Sequence, residues 1–218
     1  MAVKAALNLA ILSPKRLMLI LILLATLFFI DLFLNTPAAQ AAVTPVVVSL
    51  VPPVQFPAED FAVTGARLSL LWGHQRNIYG LDLGVIGNVT DQDFAGIAVS
   101  GLANITHGTT TVLGLQLAGL TNYNTNKTNV IGLQAALGAN INTAEASVYG
   151  LQLAAVNFCE HTDINGFQVG LYNKAQTVRG LQIGIVNMAN SLHGIQIGLV
   201  NFNHTGLISV SPVINIGF

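Results

Sequence analysis

The side chains of this chain that could do chemistry are few and scattered. Cys159, Glu160, His161 and Asp163 form the densest group of metal-ligating types. On a strand-like segment, adjacent side chains point to opposite faces, so these four cannot converge on one ion. The remaining histidines, His74, His107, His193 and His204, fall in or beside turn-like segments. Cys159 is the single cysteine and has no internal disulfide partner. A turn position is expected for it, with a reactive or intermolecular thiol as the other reading. No Gly-x-Ser-x-Gly elbow occurs. No glycine-rich segment switches from strand to helix, as a phosphate loop requires. Neither catalysis nor a cofactor nor a small-molecule ligand is therefore expected. Asn-x-Thr triplets start at Asn88, Asn104, Asn126 and Asn203. They match a glycosylation acceptor, but they stand where strands should end, and turn chemistry accounts for them.

Composition sets the frame for these residues. Of 218 residues, 52% are hydrophobic and only 8% are charged, against about 25% charged in an ordinary soluble domain. Either much of the outside meets lipid, or it is covered by uncharged Gln, Asn and Thr. From residue 42 onward the basic residues are Arg67, Arg76, Lys127, Lys174 and Arg179, and the weakly acidic balance is spread out. No basic stripe exists, which excludes nucleic acid as an expected partner.

The first 41 residues read as a separate object. Lys4, Lys15 and Arg16 precede an unbroken apolar run over residues 17–30, and Ala39-Gln40-Ala41 has the form of a cleavage site. The pattern predicts a secretory signal peptide over residues 1–41, with an uncleaved membrane anchor as the alternative. Export is expected in either case. No later stretch resembles a transmembrane helix, so further insertion would have to use strands.

The rest of the chain is a repeat. Glycine recurs at 80, 96, 114, 132, 150, 166, 180 and 194, with spacings that drift from 18 to 14. After each glycine comes a bulky apolar residue, from Leu81 to Ile195. Next stand Asp82, Ala98, Gln116, Gln134, Gln152, Gln168, Gln182 and Gln196. A second apolar residue and then a small one follow. Apolar and polar residues alternate in every copy but the one with Ala98, and the bulky apolar residues keep a spacing of two throughout, which is the period of a strand with two unlike faces. Each unit closes on an asparagine, from Asn88 to Asn201, where strands are expected to stop. About ten short strands result. Residues 42–60, with Pro45, Pro52, Pro53 and Pro57, read as an extended lead-in outside the ladder, and residues 61–218 read as one β-repeat domain.

Two all-β folds can use this unit. The first is an antiparallel meander closed as a small outer-membrane β-barrel, apolar toward lipid and polar toward the lumen. Its lumen would hold Asp82, Gln116, Gln134, Gln152, Gln168, Gln182 and Gln196, with Asp82 paired to Arg67 or Arg179. So few strands enclose little beyond their own side chains, so a plugged or narrow lumen is expected. Val210, Pro212, Ile214, Ile216 and Phe218 alternate on one face, and Phe218 would act as a C-terminal assembly signal. Outer-membrane lipid and the barrel-assembly machinery would then be the partners. The second fold is a β-solenoid, periplasmic or secreted, with Leu and Ile inside and a Gln/Asn-rich face binding partners outside. Near-identical repeats favour the solenoid, and connections short on both sides are unusual for a surface barrel; the drifting repeat length, and the little chain a 14-residue coil leaves for a return side, favour the barrel.

The repeats Gly180-Leu-Gln-Ile-Gly-Ile-Val-Asn187 and Gly194-Ile-Gln-Ile-Gly-Leu-Val-Asn201, running up to a terminal Pro-Val-Ile-Asn-Ile-Gly-Phe, resemble a family of bacterial surface-repeat proteins. The resemblance covers roughly residues 46–218 and is strongest from residue 178. It implies an exported, cell-envelope protein or lipoprotein with no established enzymatic activity. This chain departs from the lipoprotein members in having no cysteine at the cleavage site. The expected function is a structural or surface role in the cell envelope.

Overall fold

The computed structural model describes residues 42–218. The expected signal peptide over residues 1–41 lies outside the described residues. Seventeen strands follow one another with no helix among the described residues. They are β1 (Val43–Val51), β2 (Val54–Phe56), β3 (Ala62–Ser69), β4 (Trp72–Gln75), β5 (Asn77–Gly84), β6 (Gly87–Thr90), β7 (Phe94–Ser100), β8 (Ala103–Thr106) and β9 (Thr110–Ala118). Then come β10 (Thr121–Asn124), β11 (Thr128–Ala136), β12 (Ala139–Asn142), β13 (Ala146–Leu153), β14 (Val156–Val169), β15 (Tyr172–Ile183), β16 (Val186–Asn203) and β17 (Val210–Gly217).

Each repeat contributes two strands. A long one carries the glycine and the glutamine; a short one carries the asparagine. Long strands pair with long and short with short, always parallel: β9 lies between β7 and β11, and β10 between β8 and β12. Like residues meet: Gly114, Gly132 and Gly150 are in register, and so are Gln116, Gln134 and Gln152. In β14, β15 and β16 the short strand of one turn runs on into the long strand of the next. The result is a β-solenoid of about ten turns. At about 4.8 Å per turn, it is roughly 45 Å long.

The expected antiparallel barrel is therefore corrected. Barrel and solenoid strands share the period of two, so alternation could not separate them. Near-identity between repeats does separate them, because like stacks on like only between parallel strands in register. Only β2 on β1 and β17 on β16 are antiparallel, at the two ends of the described residues. The drift in repeat length is taken up mostly at one corner. Between β10 and β11 that corner is Thr125-Asn126-Lys127, whereas inside β15 it shrinks to Gln176 between Ala175 and Thr177. The opposite corner, after the long strand, stays at about two residues, such as Gly119-Leu120 and Gly184-Ile185.

Two further expectations change. Residues 42–60 are not a lead-in outside the ladder: β1 pairs with β3 from Val43 to Ser49. Its register shifts between Thr44 and Val46, around Pro45. A residue without an N–H is tolerated at such an irregularity in an outermost strand. The asparagines do not end strands either. Asn104, Asn122 and Asn140 sit within β8, β10 and β12, with side chains turned inward.

The repeat glycine has a specific cause. From Gly80 to Gly194 all eight have positive φ, between 103° and 152°, which L side chains avoid. At Gly132 an added Cβ would also strike the carbonyl oxygen of Gly114 below it. At Gly114 the Cβ would meet only the Ile97 side chain, at 3.7 Å. Both alanine substitutions should destabilise, by about 1–3 kcal/mol from backbone strain alone. Gly132→Ala should cost clearly more than Gly114→Ala in urea unfolding. Equal losses would show that close coil-to-coil approach is not what demands glycine.

Candidate functional site

The inside of the solenoid is largely amide. Gln116, Gln134, Gln152, Gln168, Gln182 and Gln196 are all fully buried. Each from Gln134 onward donates its Nε2 to the Oε1 of the glutamine one turn earlier, at 2.6–2.8 Å. Asn88, Asn104, Asn122, Asn140, Asn157, Asn173 and Asn187 form a second ladder. Each donates its Nδ2 to the Oδ1 of the next asparagine, ending at Asn201, over 2.8–3.1 Å. The same nitrogen also reaches a carbonyl of the following long strand, as from Asn122 to Ala135 at 2.9 Å. A third inward row runs Thr106, Asn124, Asn142, Cys159, Ala175, Ala189. Val112, Val130, Val148, Ile164, Val178 and Leu192 supply the apolar part of the core.

No barrel lumen exists in the described residues, and the side chains assigned to one fill this core instead. Asp82 holds the glutamine position near the first turns. It accepts two hydrogen bonds from Arg67, from Nε and Nη2, each 2.8 Å. Arg67 also donates to the Val89 carbonyl at 2.8 Å. Both charges are buried, and each satisfies the other. Phe218 lies beyond β17 and is fully exposed; with no barrel to close, it has no assembly seam here.

The residues weighed for metal chemistry separate. Cys159 points inward and is fully buried, not in a turn. Burial pushes its thiol up to about 11. Glu160 faces out and accepts from Lys174 at 2.9 Å, which holds its carboxyl below the ordinary value. Asp163 lies 3.7 Å from Arg179. On the outside, His74 bridges Glu59 (3.1 Å) and Asp91 (2.8 Å), and His107 stands 3.5 Å from Asp91. Partial burial would raise the Asp91 carboxyl, but the two histidines outweigh it and hold it lower. Among the described residues no three ligating groups are arranged to hold a metal. Of the four glycosylation-like asparagines, Asn88, Asn104 and Asn203 are buried, and only Asn126 is exposed.

The outside is where the unusual surface lies. The residues flanking each glutamine, such as Leu115, Leu153, Phe167, Ile183 and Ile197, face outward and are exposed. A further ridge follows the two-residue corner: Leu70, Val85, Leu102, Leu120, Leu137, Leu171, Ile185 and Leu199. Leu137 is 82% exposed and Leu199 69%. Between ridge and strand rows run apolar grooves floored by Gly84 in one stretch and by Ala154, Gly170 and Gly184 in another. Arg67 and Asp82 apart, every Asp, Glu, Lys and Arg of residues 42–218 lies at the opposite, variable corner or at the strand positions beside it. Sequence reading placed the strand rows outward but missed the corner ridge, because in sequence its residues look like turn positions. The 18-residue recurrence of Leu102 and Leu120 was the available signal.

Comparison with protein-family models, curated proteins and solved structures finds no match for this chain.

Two outcomes follow from the interior. Gln182→Leu removes the donor to Gln168 and the acceptor for Gln196. It should cost about 2–4 kcal/mol, since both neighbours stay buried with one bond fewer; a neutral effect in chemical denaturation would mean the ladder contributes nothing. Cys159 should resist an aromatic disulfide reagent in the folded protein and react fully once denatured. Because its folded value is raised, its contribution to stability is present below pH 9 and lost as pH climbs from 9.0 toward about 11. Rapid labelling of the folded protein would contradict its burial.

Proposed function

We propose that this protein is a non-catalytic structural β-solenoid of the cell envelope, and that its apolar outer wall is the surface it presents to a partner. The observation that carries this reading is the inverted placement of side chains: amides inside, leucine and isoleucine outside. Exposed apolar surface much beyond a few hundred Å² marks an interaction site, and here it continues over successive turns. The amide rows are not the binding face, because they are buried and satisfy one another. An exported chain with this wall and no convergent set of polar groups fits a scaffold or surface role better than an enzyme. The family resemblance of the repeats points to the same location.

Fractionation of cells producing the full chain tests this. The wild type should sediment with the envelope. The combined Leu115→Gln, Leu133→Gln, Leu151→Gln variant should keep its β-sheet circular dichroism and move to the soluble fraction. Retention of the folded variant in the envelope would sink the proposal.

A further inference from the structure

Resting on that reading, we infer that the partner of the apolar wall is the hydrocarbon of a lipid bilayer, with the solenoid lying in one leaflet and its charged corner toward water. Three features separate lipid from a second copy of the chain.

The first is the shape of the wall. It does not stop at the long-strand face. It turns the two-residue corner and continues along the short strands, whose outward row from Val89 to Met188 is apolar or tyrosine except for Lys174, which stands between Phe158 and Met188, with His74 preceding Val89 at the first turn. A second copy docked face to face covers one side of a solenoid and leaves the corner and the other side in water. A fluid hydrocarbon phase covers all of them.

The second is the placement of charge. The ridge from Leu70 to Leu199 and the strand rows beside it carry no charged residue, and the charged corner lies across the coil from them. There is one polar edge, not two, so the object is suited to lie in a membrane and not to cross it.

The third is what stands at the border. Tyr79 and Tyr149 are exposed on the long strands, between the apolar rows and the polar positions Asn77 and Ser147. On the short-strand side Tyr123 flanks the variable corner, and Lys174 lies over the Phe158 ring at 5.1 Å. Tyrosine and long cationic side chains are the residues that favour the water–hydrocarbon boundary. The backbone is also fit for lipid, since the coil-to-coil ladder pairs its N–H and C=O groups turn after turn.

Trp72 is the only tryptophan of the chain and a partly exposed outward residue of β4, next to the apolar corner. It serves as a built-in probe. The exported full chain is reconstituted with vesicles of phosphatidylcholine and phosphatidylglycerol, plain or brominated on the acyl chains. Expected are flotation with the vesicles and quenching of Trp72 by the brominated lipid. Leu137→Lys, at the most exposed point of the ridge, should reduce quenching and lower vesicle partitioning by roughly tenfold or more. Asp93→Lys at the charged corner should leave both unchanged. Any uncleaved leader is common to all variants, so the difference between them reads the wall. Absence of quenching, with a dimer in sedimentation that Leu137→Lys dissociates, overturns the bilayer while keeping the wall as a docking surface. Absence of quenching and of self-association, with Leu137→Lys still in the envelope fraction, overturns both readings.

Discussion

The structure depends on one constraint: a buried amide must be bonded at every turn, and its like partner lies on the neighbouring turn. A glutamine side chain in the core has two donors and an acceptor that water cannot reach. Stacking like on like, in register and parallel, gives each Oε1 a donor from the following turn and each Nε2 an acceptor on the preceding one. The asparagine ladder runs the other way, donating toward the C-terminal side. Two amide chains with opposed dipoles avoid the build-up that a single aligned stack produces, as the peptides of a helix do. Each chain leaves an orphan acceptor at its own end, Gln196 Oε1 in one and Asn88 Oδ1 in the other. A register slip of one residue would break both ladders and turn the leucines inward.

The taper of the repeat is consistent with the same constraint. As the variable corner shortens, the coil encloses less, and the third inward row shrinks with it. Asn124 and Asn142 give way to Cys159, then to Ala175 and Ala189. The second donor of the glutamine changes partner accordingly. Gln116 reaches Asn124 and Gln152 reaches the Cys159 sulfur, while Gln196 donates to the Phe202 carbonyl. A cysteine alone in the sequence therefore has a packing role, intermediate in volume between its neighbours above and below. Near the other end, where Ala98 interrupts the glutamine row, the Arg67–Asp82 pair closes the core by a charge-assisted route.

Strand content, the period of two and the outward placement of Leu115 or Ile183 were legible in the sequence, because alternation fixes which residues share a face. The partner of each face was not. Alternation is blind to strand direction, so the repeats read as an antiparallel meander, and the short strands at Asn122 or Asn140 read as turns. The solenoid alternative was also legible, but with the faces reversed. The usual expectation that leucine fills a core failed against glutamines able to satisfy one another. What did carry the answer was the identity of residues between repeats, Gln over Gln and Gly over Gly, and the intolerance for a Cβ at positions such as Gly132.

A core held by amide ladders has a consequence for the surface. In most domains the apolar rows stabilise the fold, at about 25 cal/mol for each Å² taken from water. Here much of the Leu and Ile content is outside, and the coil is held by backbone pairing, the ladders and a narrow Val/Ile row. Polar residues in place of Leu115 or Leu137 would therefore cost the fold little, and the fold alone gives no reason for an apolar ridge from Leu70 to Leu199 that only the small Ala155 interrupts. The variable corner, by contrast, carries Asp91, Lys127 and Glu145. Charge is thus absent from one side of the coil and gathered on the other, an asymmetry that the packing of the fold does not itself require.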